Sequence, residues 1–121
     1  MTIQRLHHVQ ITVPSDRVDE ARQFYLEILG FSEIEKPDSL LHRGGFWMVL
    51  GEIQIHVGVQ DDVDRHIHKT HIAYQVDDIS VWRDKLGQQP VEILDSIPIP
   101  GYERFEFRDP FGNRVEMIQQ V

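Results

Sequence analysis

Residues 6–13, LHHVQITV, and residues 69–76, KTHIAYQV, are two versions of one pattern. Each ends in Val with a His five residues earlier: His8 before Val13, His71 before Val76. Each then runs into an acidic start and a helical stripe. Such a repeat constrains the fold more than any single motif, because both copies must build the same supersecondary unit. In the first copy Ser15 or Asp16 is the expected N-cap. Val18, Ala21, Phe24, Tyr25, Ile28 and Leu29 follow at i, i+3, i+4 spacing, and Gly30 stands where a left-handed residue ends a helix. In the second copy Asp77 or Asp78 caps, Ile79, Trp82 and Leu86 form the stripe, and Gly87 stops it. Strand-like runs follow over about 31–35, 46–50 and 53–58, then over about 91–95, 103–108 and 113–119. Gly44-Gly45, Gly51 and Asp109-Pro110-Phe111-Gly112-Asn113 supply turns between them.

The order is therefore βαβββ twice, an α+β protein. One module covers about 5–59, a polar connector 60–69, and a second module about 70–121. Some 55 residues per half is marginal for independent folding, so a single domain over 1–121 is expected.

Composition narrows the function. Twelve Lys and Arg against 20 Asp and Glu leave a net charge of −8, without the basic footprint a nucleic-acid binder needs. No apolar run approaches the roughly 20 residues that span a bilayer, and no apolar signal segment follows the N-terminus. Cysteine is absent, which removes disulfides and thiolate metal sites and fits a reducing compartment. The expectation is a cytoplasmic protein with neither nucleic-acid nor membrane partners.

Side chains alternate along a strand. In the first strand Val9, Ile11 and Val13 share one face, and His8, Gln10 and Thr12 the other. In the fifth, Ile72, Tyr74 and Val76 oppose His71, Ala73 and Gln75. The last strand of each half repeats the pattern: Ile55 and Val57 against His56, Val115 and Met117 against Glu116. The apolar faces suit the helices. His8, His56, His71 and Glu116 thus fall on the non-helix faces at matching places of the repeat. Each alone reads as a surface residue; together they are candidate donors for zinc, nickel, iron or manganese. His66 and His68 sit in the connector, His7 is expected opposite His8, and His42 has no assigned side.

LHHVQITV, ARQFYLEILGF, THIAYQVDDI and FRDPFGNRVEMI together make the chain resemble the vicinal oxygen chelate superfamily. That group includes glyoxalase I, fosfomycin-modifying enzymes, extradiol dioxygenases and bleomycin-binding proteins. The resemblance implies paired βαβββ modules whose curved mixed sheets enclose a metal cavity. His8, His71 and Glu116 would ligate a divalent ion there. His56 stands where glyoxalase I carries a carboxylate, and is a candidate fourth ligand or general base. Gln10 stands two residues after His8, where fosfomycin enzymes tend to carry Thr. Tyr102 and Arg104 in GYERFEF, with Gln10, Arg43 and Trp47, are candidate substrate contacts. The implied activity is that of a metal-dependent lyase, isomerase, thiol transferase or dioxygenase acting on a small oxygenated molecule, as a homodimer. The alternative is a metal-free protein of the bleomycin-resistance type that sequesters a drug, a cationic one given the −8 charge.

Overall fold

The computed structural model describes residues 1–121, which divide into two compact units, Met1–Val63 and Asp64–Val121. Each unit is a βαβββ module around a four-stranded mixed sheet. No helix is long and apolar enough to cross a membrane.

The first unit starts with β1 (His8–Val13), followed by α1 (Val18–Arg22), β2 (Ser32–Ile34), β3 (Phe46–Leu50) and β4 (Ile53–Val59). The sheet order is β1-β4-β3-β2, with β1 parallel to β4 and the other pairs antiparallel. A parallel β1–β4 pair needs a long crossover, which the helix and the β2–β3 hairpin supply. The register pairs Phe46 with Val57 and Met48 with Ile55. These four residues are buried with Val13, Ala21, Phe24, Tyr25 and Leu29, so the core lies between the sheet and the helix, as the alternation predicts.

The helix itself differs from expectation. Arg17 takes the N-cap position without a side-chain cap, and only Val18–Arg22 is α-helical. Ser15 instead gives its amide and hydroxyl hydrogens to the Asp61 carboxylate, at 2.8 and 2.7 Å, which ties the start of the helix to the end of the unit. Residues Gln23–Ile28 widen into a π-helix, where the Leu29 amide donates to the Phe24 carbonyl. That five-residue step brings Leu29 above Phe24 and keeps Phe24, Tyr25 and Leu29 all buried. No Pro or Gly signals the change; within it the Phe24 and Tyr25 rings meet edge to face, 5.2 Å apart. Gly30 follows with φ 86°, as read from the sequence. A 3₁₀ segment, Asp38–Arg43, precedes β3.

The second unit repeats the plan with β5 (His71–Gln75), α2 (Ile79–Gly87), β6 (Glu92–Leu94), β7 (Tyr102–Arg108) and β8 (Arg114–Gln120), in sheet order β5-β8-β7-β6. Asp78 caps α2 by accepting from the Ser80 and Val81 amides, and Gln119 Oε1 accepts from the Ile79 amide at 2.8 Å. Gly87 is the last helical residue rather than a left-handed stop; Gln88 takes the C-cap. Ile79 and Leu86 are buried with Tyr74, Phe105, Phe107, Phe111, Val115 and Met117. Trp82 is only half-buried, with the Lys85 ammonium 5.0 Å from its ring centroid.

Two details anchor this unit. Asp109, buried in the Asp109–Asn113 turn, accepts from the Phe111 and Asn113 amides and from the Asn113 side chain, at 2.8–3.0 Å. The Arg108 guanidinium donates to the carbonyls of Arg65, His68 and Gly112 at 3.0–3.3 Å. Those bonds fasten part of the expected connector onto β7. The buried Arg65 lies in a short 3₁₀ turn there, while His66 and His68 stay exposed.

Candidate functional site

On the non-helix face of the second sheet, the register places Glu106 opposite Glu116, and Ala73 on the other side of Glu116. Nitrogen or oxygen donors of His71, Glu106 and Glu116 all lie within 4.8 Å of one another. Both carboxylates are buried, with side chains 5% and 8% exposed. Burying two carboxylates costs several kcal/mol each unless cations answer them. Arg104 Nη1 contacts Glu116 Oε1 at 3.3 Å and Glu106 Oε1 at 3.4 Å, and Arg114 pairs with Glu106 Oε2. The rest of the Arg104 guanidinium donates to the Ile97 carbonyl, at 2.7 and 3.1 Å.

His71 adds the telling contact. Its Nδ1 lies 2.9 Å from the Lys69 carbonyl oxygen, which can only accept, so Nδ1 carries the hydrogen. In the neutral ring Nε2 then holds a lone pair, and it faces Glu116 Oε1 at 3.2 Å. In that form the two groups would face each other as acceptors. Either a proton on Nε2 or a cation between the two groups relieves that contact. One imidazole nitrogen and two carboxylates, with the outer ring nitrogen pinned by a carbonyl, is a donor set that fits a divalent transition metal.

The first unit carries a different arrangement. Trp47, His56 and His8 stack: Trp47 and His56 centroids are 3.8 Å apart at 1°, and His56 and His8 are 4.2 Å apart at 16°. The register makes this possible, since Gln10, His56 and Trp47 lie side by side across β1, β4 and β3. His56 is 6% exposed, and the contact between its Nε2 and Gln54 Oε1 is 2.9 Å. Burial, then the charges of His8, His7 and Lys36, push its pKa down to about 4, so the ring is neutral at pH 7. The stack forms part of a cleft of about 390 Å³ that Gln10, Lys36, Leu40, Arg43 and Gly44 also line.

The expected residues therefore fall into two groups. His71, Glu116 and Arg104 meet in the second unit; His8, His56, Gln10, Arg43 and Trp47 meet in the first. Tyr102 joins neither group. It is 42% exposed and borders a shallow depression beside α2 with Arg83 and Arg104. His7 does not point away from His8; their Nδ1 atoms are 3.0 Å apart, because His7 precedes the strand and escapes its alternation. His42 is exposed in the 3₁₀ segment. Glu106 and Arg114 were missed from the sequence. Glu106 alternates with the buried Phe105 and Phe107, a period-two signal present in the sequence. Lys36 and Leu40 lie before β3 in irregular and 3₁₀ backbone, where no periodicity marks a face.

Comparison with known proteins identifies the family and the fold. The family profile described as Glyoxalase/Bleomycin resistance protein/Dioxygenase superfamily matches residues 5–117. A glyoxalase family protein from Bacillus anthracis is 37% identical, with TM-score 0.88 over 100% of this chain and 98% of that one. "Glyoxylase I 4" from Arabidopsis thaliana is 29% identical over 93% of this chain and 68% of its own length. At 16% and 18% identity, the fosfomycin resistance protein FosX from Listeria monocytogenes (TM-score 0.80, 99% and 96% covered) and the antibiotic binding protein TnmS3 from a Streptomyces species (0.73, 100% and 99%) share the fold.

Proposed function

Because this chain belongs to the Glyoxalase/Bleomycin resistance protein/Dioxygenase superfamily, we propose that it is a metal-dependent enzyme holding a divalent ion on His71, Glu106 and Glu116. Its substrate is a small molecule that offers oxygen atoms to that ion. The observation that carries this reading is the convergence of His71, Glu106 and Glu116 donor atoms within 4.8 Å of one another. When bound, the ion supplies Lewis-acid stabilisation of charge developing on a substrate oxygen, which serves lyase, isomerase, thiol-transfer and dioxygenase chemistry alike. The chain's own groups do the positioning. The Lys69 carbonyl keeps His71 in the tautomer whose Nε2 can ligate. The Ile97 carbonyl holds the Arg104 guanidinium beside the carboxylates, where it can orient an anionic oxygen. Arg114 takes Glu106 Oε2, while Oε1 faces Arg104 Nη1.

The expected contribution of His8 as a further ligand, the homodimer and the cytoplasmic setting belong to the same proposal. For His56 the surroundings favour positioning over proton abstraction, since a base with pKa about 4 is a weak acceptor at neutral pH. The second reading, a metal-free protein that sequesters a small molecule, draws support from the ligand-sized cleft of the first unit.

Metal analysis separates the two readings. Protein purified from metal-supplemented medium is expected to hold about one divalent ion per chain and to lose it in Glu116→Gln. Metal-restored protein is then screened for isomerase, thiol-transfer and dioxygenase turnover. Negligible metal in wild type, even after reconstitution with zinc, nickel, manganese and iron(II), overturns the enzyme reading in favour of sequestration.

A further inference from the structure

The cleft of the first unit carries a charge opposite to that of the protein around it. Residues 1–63 contain five Lys and Arg against ten Asp and Glu, a balance of −5 within a chain of −8. Yet no carboxylate lines the cleft, and two cations do, Lys36 and Arg43. The Arg43 side chain makes no hydrogen bond or ion pair. Lys36 donates only to the Gly44 carbonyl. Both charges are thus left without an anionic partner, on a surface where acidic residues outnumber them twofold.

The remaining walls are aromatic and aliphatic. The Trp47–His56–His8 stack presents aromatic surface at one side, with Leu40, Val57 and Val59 beside it. Two glycines make the space. At Gly45 (φ 77°) an added Cβ would sit 2.0 Å from the Val57 carbonyl oxygen, so β3 can begin this close to β4 only without a side chain. At Gly58 a Cβ would lie 2.9 Å from the Gln10 amide, which instead rests across the strand and offers the cleft a neutral donor and acceptor.

We infer that this cleft binds a planar aromatic or conjugated carboxylate: the ring system lies on the aromatic and aliphatic wall, and the carboxylate meets Arg43 and Lys36, with the Gln10 amide as a neutral polar contact. A guanidinium matches a carboxylate in bidentate geometry, and ring stacking in a partly desolvated cleft selects flat ligands over puckered ones. The same cations repel a cationic guest, so local charge, and not the −8 of the whole chain, sets the preference. This inference does not rest on the metal reading.

Three matched probes test it by isothermal titration calorimetry on the full chain in EDTA: 2-naphthoate, 2-naphthylmethylammonium and cyclohexanecarboxylate. 2-Naphthoate is expected to bind saturably, with each of the other two at least about tenfold weaker. Arg43→Gln, an exposed substitution that spares the core, is expected to weaken 2-naphthoate about tenfold while leaving cyclohexanecarboxylate no better than before. Loss of the aromatic preference in Trp47→Leu, with folding checked by circular dichroism, locates the ring. No saturable binding of 2-naphthoate, equal or tighter binding of the ammonium probe, or an Arg43→Gln variant with unchanged 2-naphthoate affinity each overturns the proposal.

Discussion

Acidification from pH 8 to pH 5 is expected to destabilise the protein through one residue, His56. Its ring is packed between Trp47 and His8, and its pKa in the fold is about 4 against an ordinary value of 6.5. Between those values the unfolded chain binds a proton that the folded chain refuses, so stability rises with pH there. The contribution is fully present above about pH 6.5, declines as pH falls, and is exhausted below about pH 4, where both states are protonated. A gap of about 2.5 pH units is worth about 3 kcal/mol in total, of which about 2 kcal/mol is lost by pH 5. The comparison variant is His56→Phe, which keeps a ring against Trp47 but cannot protonate. It forfeits the 2.9 Å contact with Gln54 and should be about 1 kcal/mol less stable than wild type at pH 8. Because it lacks the acid-sensitive group, the order reverses by about 1 kcal/mol at pH 5. Urea unfolding followed by circular dichroism, in EDTA at pH 8, 6.5 and 5, measures both curves. Parallel curves for the two proteins would refute the assignment of the acid sensitivity to His56.

Further outcomes follow from the same geometry. Asp109→Ala removes the acceptor of two turn amides, one of them buried, and of the Asn113 side chain, and should cost about 2–4 kcal/mol in thermal or urea unfolding; Asp109→Asn, which keeps one oxygen, should cost less. His71→Ala and Glu106→Gln should each weaken divalent-metal affinity at least about tenfold, read by competition with a chromogenic chelator. His8→Ala tests the expected further ligand by the same assay; unchanged affinity leaves His8 with the aromatic stack alone. For the homodimer, light scattering should give twice the 14.2 kDa chain mass, and a value near 14 kDa at micromolar concentration rules it out.

Much of this protein was legible in order along the chain. The repeat gave βαβββ twice, and strand alternation assigned the buried faces, because a period of two is a local property that any strand must express. Alternation also put His8, His56, His71 and Glu116 on the non-helix faces. The Asp78 cap and the left-handed Gly30 are equally local. What the chain order concealed was everything that depends on which strand lies beside which. Glu106 becomes a metal donor candidate only because β7 sets it opposite Glu116. Trp47 and His8 come to flank one imidazole only because β3 and β1 sit on either side of β4. The widened helix, with Phe24, Tyr25 and Leu29 buried, has no local sequence signal, and the cations Lys36 and Arg43 reach the cleft from backbone with no strand period. Pairing register and side-chain packing join residues far apart in sequence, so only the tertiary structure decided which charges meet, which rings stack and which groups lose their water.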